Sequence, residues 1–113
     1  MNMKEQILVQ ARNLISDKTR WCRCALAQDE AERGVNPSDA TARKWCAVGA
    51  LEHCSPTVGL YKAAYDLLLK AAGSLYHRRL DFVNDELGHE AVLEVYNRAI
   101  ELARQEGPGE MMP

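Results

Sequence analysis

Apolar residues recur along most of this chain with the spacing of a helix. Ile7, Leu8, Ala11, Leu14 and Ile15 fall at i, i+1, i+4, i+7 and i+8, with Lys4, Glu5, Gln10 and Arg12 off that stripe. Farther on, Leu60, Ala64, Leu67, Leu68, Ala71 and Leu75 share a face between Pro56 or Thr57 and Arg79, while Lys62, Asp66 and Lys70 lie mostly elsewhere. Gly73 is the weak point of that helix, a place to bend or end. A last stripe of Val92, Val95, Tyr96, Ala99, Leu102 and Ala103 belongs to a helix that Asn84 or Asp85 can cap, after the connector "RLDFVND".

Between the first and second stripes the pattern is weaker. Ser16 or Asp17 can cap a helix over Lys18 to Arg33, and Gly34 fits its stop. "VNPSDA" reads as a turn and a new start, since Pro37 disfavours helix at Asn36 and Ser38 or Asp39 can cap a third helix. That third helix is predicted to end near His53, because Pro56 disfavours helical geometry at Ser55. No segment alternates with period two over a convincing length, so no strand is expected. The prediction is an all-α fold, a compact irregular (orthogonal) bundle of four or five helices. One helical domain is expected over residues 1–106, with "GPGEMMP", residues 107–113, as a disordered tail.

Composition narrows the function classes. At 113 residues, 47% hydrophobic and 27% charged, the chain suits one folded domain with one core. A formal net charge of −2 gives no general pull toward nucleic acid or an anionic membrane, so neither is an expected partner. The N-terminus carries charges within its apolar pattern and no small-residue cleavage site, unlike a signal peptide. No apolar run reaches the roughly 18 residues of a membrane span. A cytoplasmic location is therefore expected, with the four cysteines as thiols.

"ARKWCAVGALEHC" (Ala42 to Cys54) gathers two cysteines and a histidine, which raises the question of a metal. Structural zinc needs four converging ligands, usually in paired spacings. On a helix, Cys22 and Cys24 point about 200° apart, and Cys46 and His53 are separated by about 10.5 Å along the axis. Neither pair suits one ion, and nothing in the spacing requests a site from Cys54 and His77. No metal or other cofactor is predicted. Cys46 and at least one of Cys22 and Cys24 read instead as small buried hydrophobes. Gly49 supports packing: inside a helix it costs about 1 kcal/mol relative to alanine, best explained by another backbone approaching closely. Together Cys46, Gly49, Ala50 and His53 make a face of mostly small side chains. "RWCRCAL" and "KWCAVGAL" echo one another, which places Trp21 and Trp45 in related positions, on two helices, as the largest core pieces. A single echo supports no solenoid.

"NDELGHE" holds the sharpest chemical candidates, Asn84, Asp85, Glu86 and His89. Asp85 and Glu86 lie four and three residues before His89, so one helix face would bring acid and imidazole together. Glu-x-x-His holds paired metals in helix bundles, but only when it occurs twice with two further glutamates. Asp85 can equally orient His89 as a general base. The plainer reading is acidic residues at a helix N-terminus, complementing its dipole. Arg78 and Arg79 form a small basic cluster, with nucleic-acid contact as the sharp reading and a solvated helix end as the plain one. No phosphate-loop, zinc-protease, nucleophile-elbow or dinucleotide motif is present.

The W-C-x-x-G-A-L segment at Trp45 and the later N-D-x-x-x-H segment at Asn84 resemble a small bacterial and phage family known as a domain of unknown function. The resemblance runs from Arg20 to Ala103 and singles out Trp21, Trp45, Cys46, Gly49, Ala50, Asn84, Asp85 and His89. The family places a small residue where this chain has Cys24, which implies that Cys24 packs and does not react. It implies no activity. With no complete catalytic set in view, the expectation is a protein-interaction or self-associating module, as a homodimer or with a protein partner. The alternatives are a metal- or ligand-dependent enzyme centred on Asp85, Glu86 and His89, and a weak nucleic-acid binder through Arg78 and Arg79.

Overall fold

Asn2 begins the first helix: its carboxamide oxygen accepts the Glu5 N–H at 2.8 Å. Helix α1 then spans Met3–Leu14 in the computed structural model, which describes residues 1–106. Ile7, Leu8 and Ala11 are buried, as is Ile15 just beyond the helix. The second strong stripe becomes the long helix Val58–Tyr76, where the Thr57 hydroxyl accepts the Leu60 N–H at 3.1 Å. It passes Gly73 without a break and ends at His77, whose φ of 54° forms a left-handed cap. Ala64, Leu67, Leu68 and Ala71 are buried as predicted, but Leu75, in the last turn, is 41% exposed. The last helix, His89–Glu106, buries Val92, Val95, Tyr96, Ala99 and Ala103 and half-buries Leu102.

These three helices pack on one another, and polar contacts fasten the first to the last. Asn2 Nδ2 donates to the Ala103 carbonyl, Arg104 Nε to the buried Glu5 carboxylate and Arg12 Nε to Asn97 Oδ1. Lys4 pairs with Glu106 beside them. With two shorter helices between the first and the last, the result is a compact all-α bundle. No helix among the described residues is long and apolar enough to cross a membrane. The predicted tail, residues 107–113, lies outside the described residues.

The middle of the chain departs from the helical pattern. In place of a helix over Lys18 to Arg33 there is one 3-10 turn, Lys18–Arg20, capped as expected by Asp17. Beyond it, hydrogen bonds to distant segments take the backbone. Cys22 N–H donates to the Trp45 carbonyl at 3.2 Å, and Cys46 N–H donates to the Leu26 carbonyl at 3.1 Å. Strand β1, Ala27–Gln28, pairs antiparallel with β2, Lys44–Trp45, with Ala27 opposite Trp45 and Gln28 opposite Lys44. This corrects the strand-free expectation; two residues are too few to show alternation. Cys24 and Glu32 take φ of 62° and 65°, left-handed geometry that breaks a right-handed helix. Asp29 holds a tight loop by accepting the N–H groups of Ala31 and Arg33 and the Arg33 Nε.

The third predicted helix starts late for the same reason. Asp39 caps only a turn, through the Thr41 N–H and hydroxyl. Trp45 is in a strand, and α2 spans Ala47–Cys54, with Cys46 as its cap: the thiol accepts the Gly49 N–H at 3.3 Å. In chain order, Val58–Tyr76 is then α3.

Gly49 sits in the first turn of α2, beneath the loop. A Cβ there would lie 1.8 Å from the Leu26 carbonyl oxygen and 2.7 Å from its carbon, both backbone atoms. The close approach read from sequence is real, though a loop makes it and not a helix. Gly49→Ala is expected to lower stability by about 3 kcal/mol. Gly73→Ala, where a Cβ meets nothing within 4 Å, should raise it by about 1 kcal/mol; urea denaturation followed by circular dichroism measures both.

The middle segment is also acid-sensitive. Backbone hydrogen bonds from Arg33, Thr19 and Thr41 hold the Asp29, Asp17 and Asp39 carboxyls below their ordinary value of 3.8. A depressed folded-state pKa means that the stabilisation is complete above that value and is lost as pH falls through the lowered ones. Unfolding free energy should therefore drop below about pH 4, and Asp29→Asn should flatten the drop; denaturant titrations across this range test it.

Candidate functional site

After α3 the chain turns through a short helix α4, Leu80–Phe82, and one π-helical turn, Val83–Leu87. The Gly88 N–H closes the turn on the Val83 carbonyl at 3.0 Å, and Gly88 adopts φ of 103°. Helix α5 then begins at His89 and runs to Glu106, so Asn84 and Asp85 do not cap it as expected. The π turn and Gly88 also break the helical spacing that would have set Asp85 and Glu86 beside His89.

The π turn directs Asn84 into the interior, where it is 3% exposed. Its Oδ1 accepts Trp21 Nε1 at 2.8 Å and the Ala47 N–H at 2.9 Å. Its Nδ2 donates to the Cys22 carbonyl at 3.1 Å and to Asp85 Oδ1 at 2.9 Å. Asp85 Oδ1 in turn accepts the Cys24 N–H at 3.0 Å. Three segments distant in sequence thus meet at one carboxamide: the loop from Trp21, the start of α2 and the π turn.

The remaining predicted residues divide between the core and the surface. His89 is buried; its Nε2–H donates to the Ile15 carbonyl at 2.6 Å, and its ring packs 5.5 Å from that of Trp21. The Arg23 guanidinium lies 5.1 Å from the Trp21 ring. Glu86 is exposed. Trp21 and Trp45 are neighbours through a single parallel bridge, on extended segments and not on the two helices expected. Like Trp21, Trp45 has a histidine ring beside it. Trp45 Nε1 and His53 Nδ1 both bond to the Pro37 carbonyl, and their rings are 5.0 Å apart. Cys46 caps α2, Gly49 admits Leu26 and Ala50 is fully buried.

Beside Asn84 opens a cleft of about 310 Å3. The loop contributes Cys24, Ala25 and Leu26, α2 contributes Val48 behind its cap Cys46, and the opposite wall is Leu80, Asp81, Asn84 and Asp85. Leu26 is 46% exposed at its rim. Cys24, expected to pack, is exposed, because Asp85 draws its N–H outward in left-handed geometry. Cys22 and Cys46 are buried; burial pushes the Cys22 thiol up to about 12 and raises that of Cys46. All four cysteines are unpaired. Among the described residues no three His, Cys, Asp or Glu side chains converge as a metal would require, Cys54 and His77 included.

A larger hollow of about 480 Å3 lies beside Asp29, Arg33 and Arg43. There Asp29 bonds Arg33, and Arg43 bonds the Ala40 and Ala42 carbonyls. The spacing of residues could not reveal Leu26, Val48, Leu80 or Asp81 as cleft residues. Gly49, which called for a backbone neighbour, was the nearest signal.

Asn84→Leu should be strongly destabilising, because it strands the Trp21 indole N–H, the Ala47 N–H and the Cys22 carbonyl in the interior. At about 1–3 kcal/mol for each buried unpaired group, a loss of at least about 3 kcal/mol is expected. Tryptophan emission followed through denaturation measures it, since Trp21 reports on its own partner.

No curated protein and no solved structure matches this chain. Residues 2–102, which carry every wall of the cleft, match the family model described as "Family of unknown function (DUF6197)", and the chain belongs to that family.

Proposed function

We propose that this protein is a non-catalytic binding module whose recognition site is the cleft at Asn84. The occupant is one apolar side chain with an adjacent basic group, presented by a protein partner. The observation that carries the reading is the composition of the walls: Leu26, Val48 and Leu80 on one hand, Asp81 and Asp85 on the other. A volume of about 310 Å3 is at the small end for ligand sites, which suits a side chain better than a cofactor. Among the ion pairs of the described residues Asp81 is shared with Arg79, while Asp85 has no basic partner. A partner's cation would supply it. Four free thiols fit work in the reducing cytoplasm.

Catalysis through Asp85, Glu86 and His89 is less well supported. The His89 Nε2 is committed to Ile15, and its ring is covered by Trp21. Arg78 and Arg79 favour nucleic acid no better, since Arg78 lies over Phe82 and Arg79 pairs with Asp81.

Short peptides with leucine or phenylalanine beside arginine test the reading by their effect on backbone amide resonances. Shifts should concentrate at Cys24, Leu26, Val48 and Asp85. Asp85→Asn, which keeps the acceptor for Cys24, should weaken binding about tenfold through loss of one charge-assisted contact. Shifts scattered over the surface, or none with any such peptide, would reject the cleft as a recognition site.

A further inference from the structure

Helix α3 carries a second feature that the cleft does not use. At about 100° per residue, Val58, Tyr65, Leu69 and Tyr76 fall on one line down the helix, about 27 Å long. Val58 is 70% exposed and Leu69 39% exposed. Tyr61, stacked on Tyr65 at 5.7 Å, and the exposed Leu75 flank this line on one side. The exposed side chains of Lys62, Asp66 and Lys70 flank it on the other. At the N-terminal end of the helix a hollow of about 370 Å3 opens between Glu52, Pro56, Val58 and Tyr61.

We propose that this face of α3 is a self-association surface, on which two copies of the chain pair antiparallel about a twofold axis level with Leu68. Antiparallel pairing brings like flank against like flank, so residues whose numbers sum to twice 68 stand opposite one another. On the charged flank Asp66 meets the partner's Lys70, and the pair occurs twice by symmetry. On the apolar flank Tyr61 meets the partner's Leu75, which accounts for a leucine left exposed at the end of an otherwise well-buried row. At the ends, Val58 and the hollow lie opposite the end of the partner's helix, which stops at Tyr76. One position of the axis thus satisfies charge and apolar contacts together. A parallel pair would instead lay the charged flank against Tyr61 and Leu75, with nothing to neutralise it. The proposal does not rest on the cleft, which involves no residue of α3.

Sedimentation equilibrium across micromolar concentrations is the test, with circular dichroism to confirm folding of each variant. The wild type should be a reversible dimer that weakens with salt. Leu69→Glu should leave a folded monomer. Asp66→Lys should raise the dimer dissociation constant about tenfold or more, by replacing two attractions with repulsions. The double variant Asp66→Lys with Lys70→Asp should restore it. A strictly monomeric wild type, or a dimer indifferent to Leu69→Glu and to the charge exchange, would overturn the proposal.

Discussion

The fold turns on one carboxamide. Asn84 uses its oxygen twice and both of its amide hydrogens, bonding to Trp21, Cys22, Ala47 and Asp85. A buried amide is costly unless its groups are paired, and a fully paired one fixes the positions of everything it touches. The segment from Trp21 to Cys46 depends on this, because it has little regular structure of its own. The π turn supplies the geometry: the extra residue in its hydrogen-bonded ring turns Asn84 inward while Asp85 stays close enough to hold the Cys24 N–H.

Large rings with a polar tip do similar work at other core carbonyls. His89 bonds Ile15, Trp45 and His53 share Pro37, and the Tyr96 hydroxyl donates to Ala47 in the first turn of α2 at 2.6 Å. Each ring brings apolar area and one donor, so it fills space and satisfies backbone in one step. Between the rings the core is rich in alanine, at positions 11, 27, 47, 50, 64, 71, 99 and 103 among others, which lets helices and loop approach closely. Gly49 is the extreme case, where even a methyl group is excluded by Leu26.

Helices α1, α3 and α5 were legible in the sequence because their stability comes from burying a stripe, and a stripe is a local pattern. The span from Lys18 to Trp45 was not, because what shapes it is remote. Alanines and charged residues there favour helix locally, but the N–H groups of Cys22, Cys24 and Cys46 are taken by Trp45, Asp85 and Leu26. At the site, the sequence marked Asn84, Asp85, Glu86 and His89 as unusual and set Asp85 and Glu86 on one helix face with His89. Gly88 undoes that face: with φ of 103° it separates the carboxylates from the imidazole and sends His89 to Ile15. Likewise the tryptophan echo was a true sign of proximity but carried no information on whether the two segments were helical.

Asp85 shows how structure and the proposed recognition share residues. One of its oxygens is fully occupied in holding Cys24 and Asn84, the two sides of the cleft, so the loop cannot move away without releasing it. Asp85 itself lines the cleft. In the proposed reading the site is formed before a ligand arrives, and binding orders little that was free. The arrangement also separates two properties of one side chain. Its acceptor oxygen maintains the walls and can be kept by asparagine, whereas in the proposed reading its charge serves an occupant. The nearest imidazole in sequence, that of His89, bonds to Ile15 in the core and leaves Asp85 to Cys24 and Asn84.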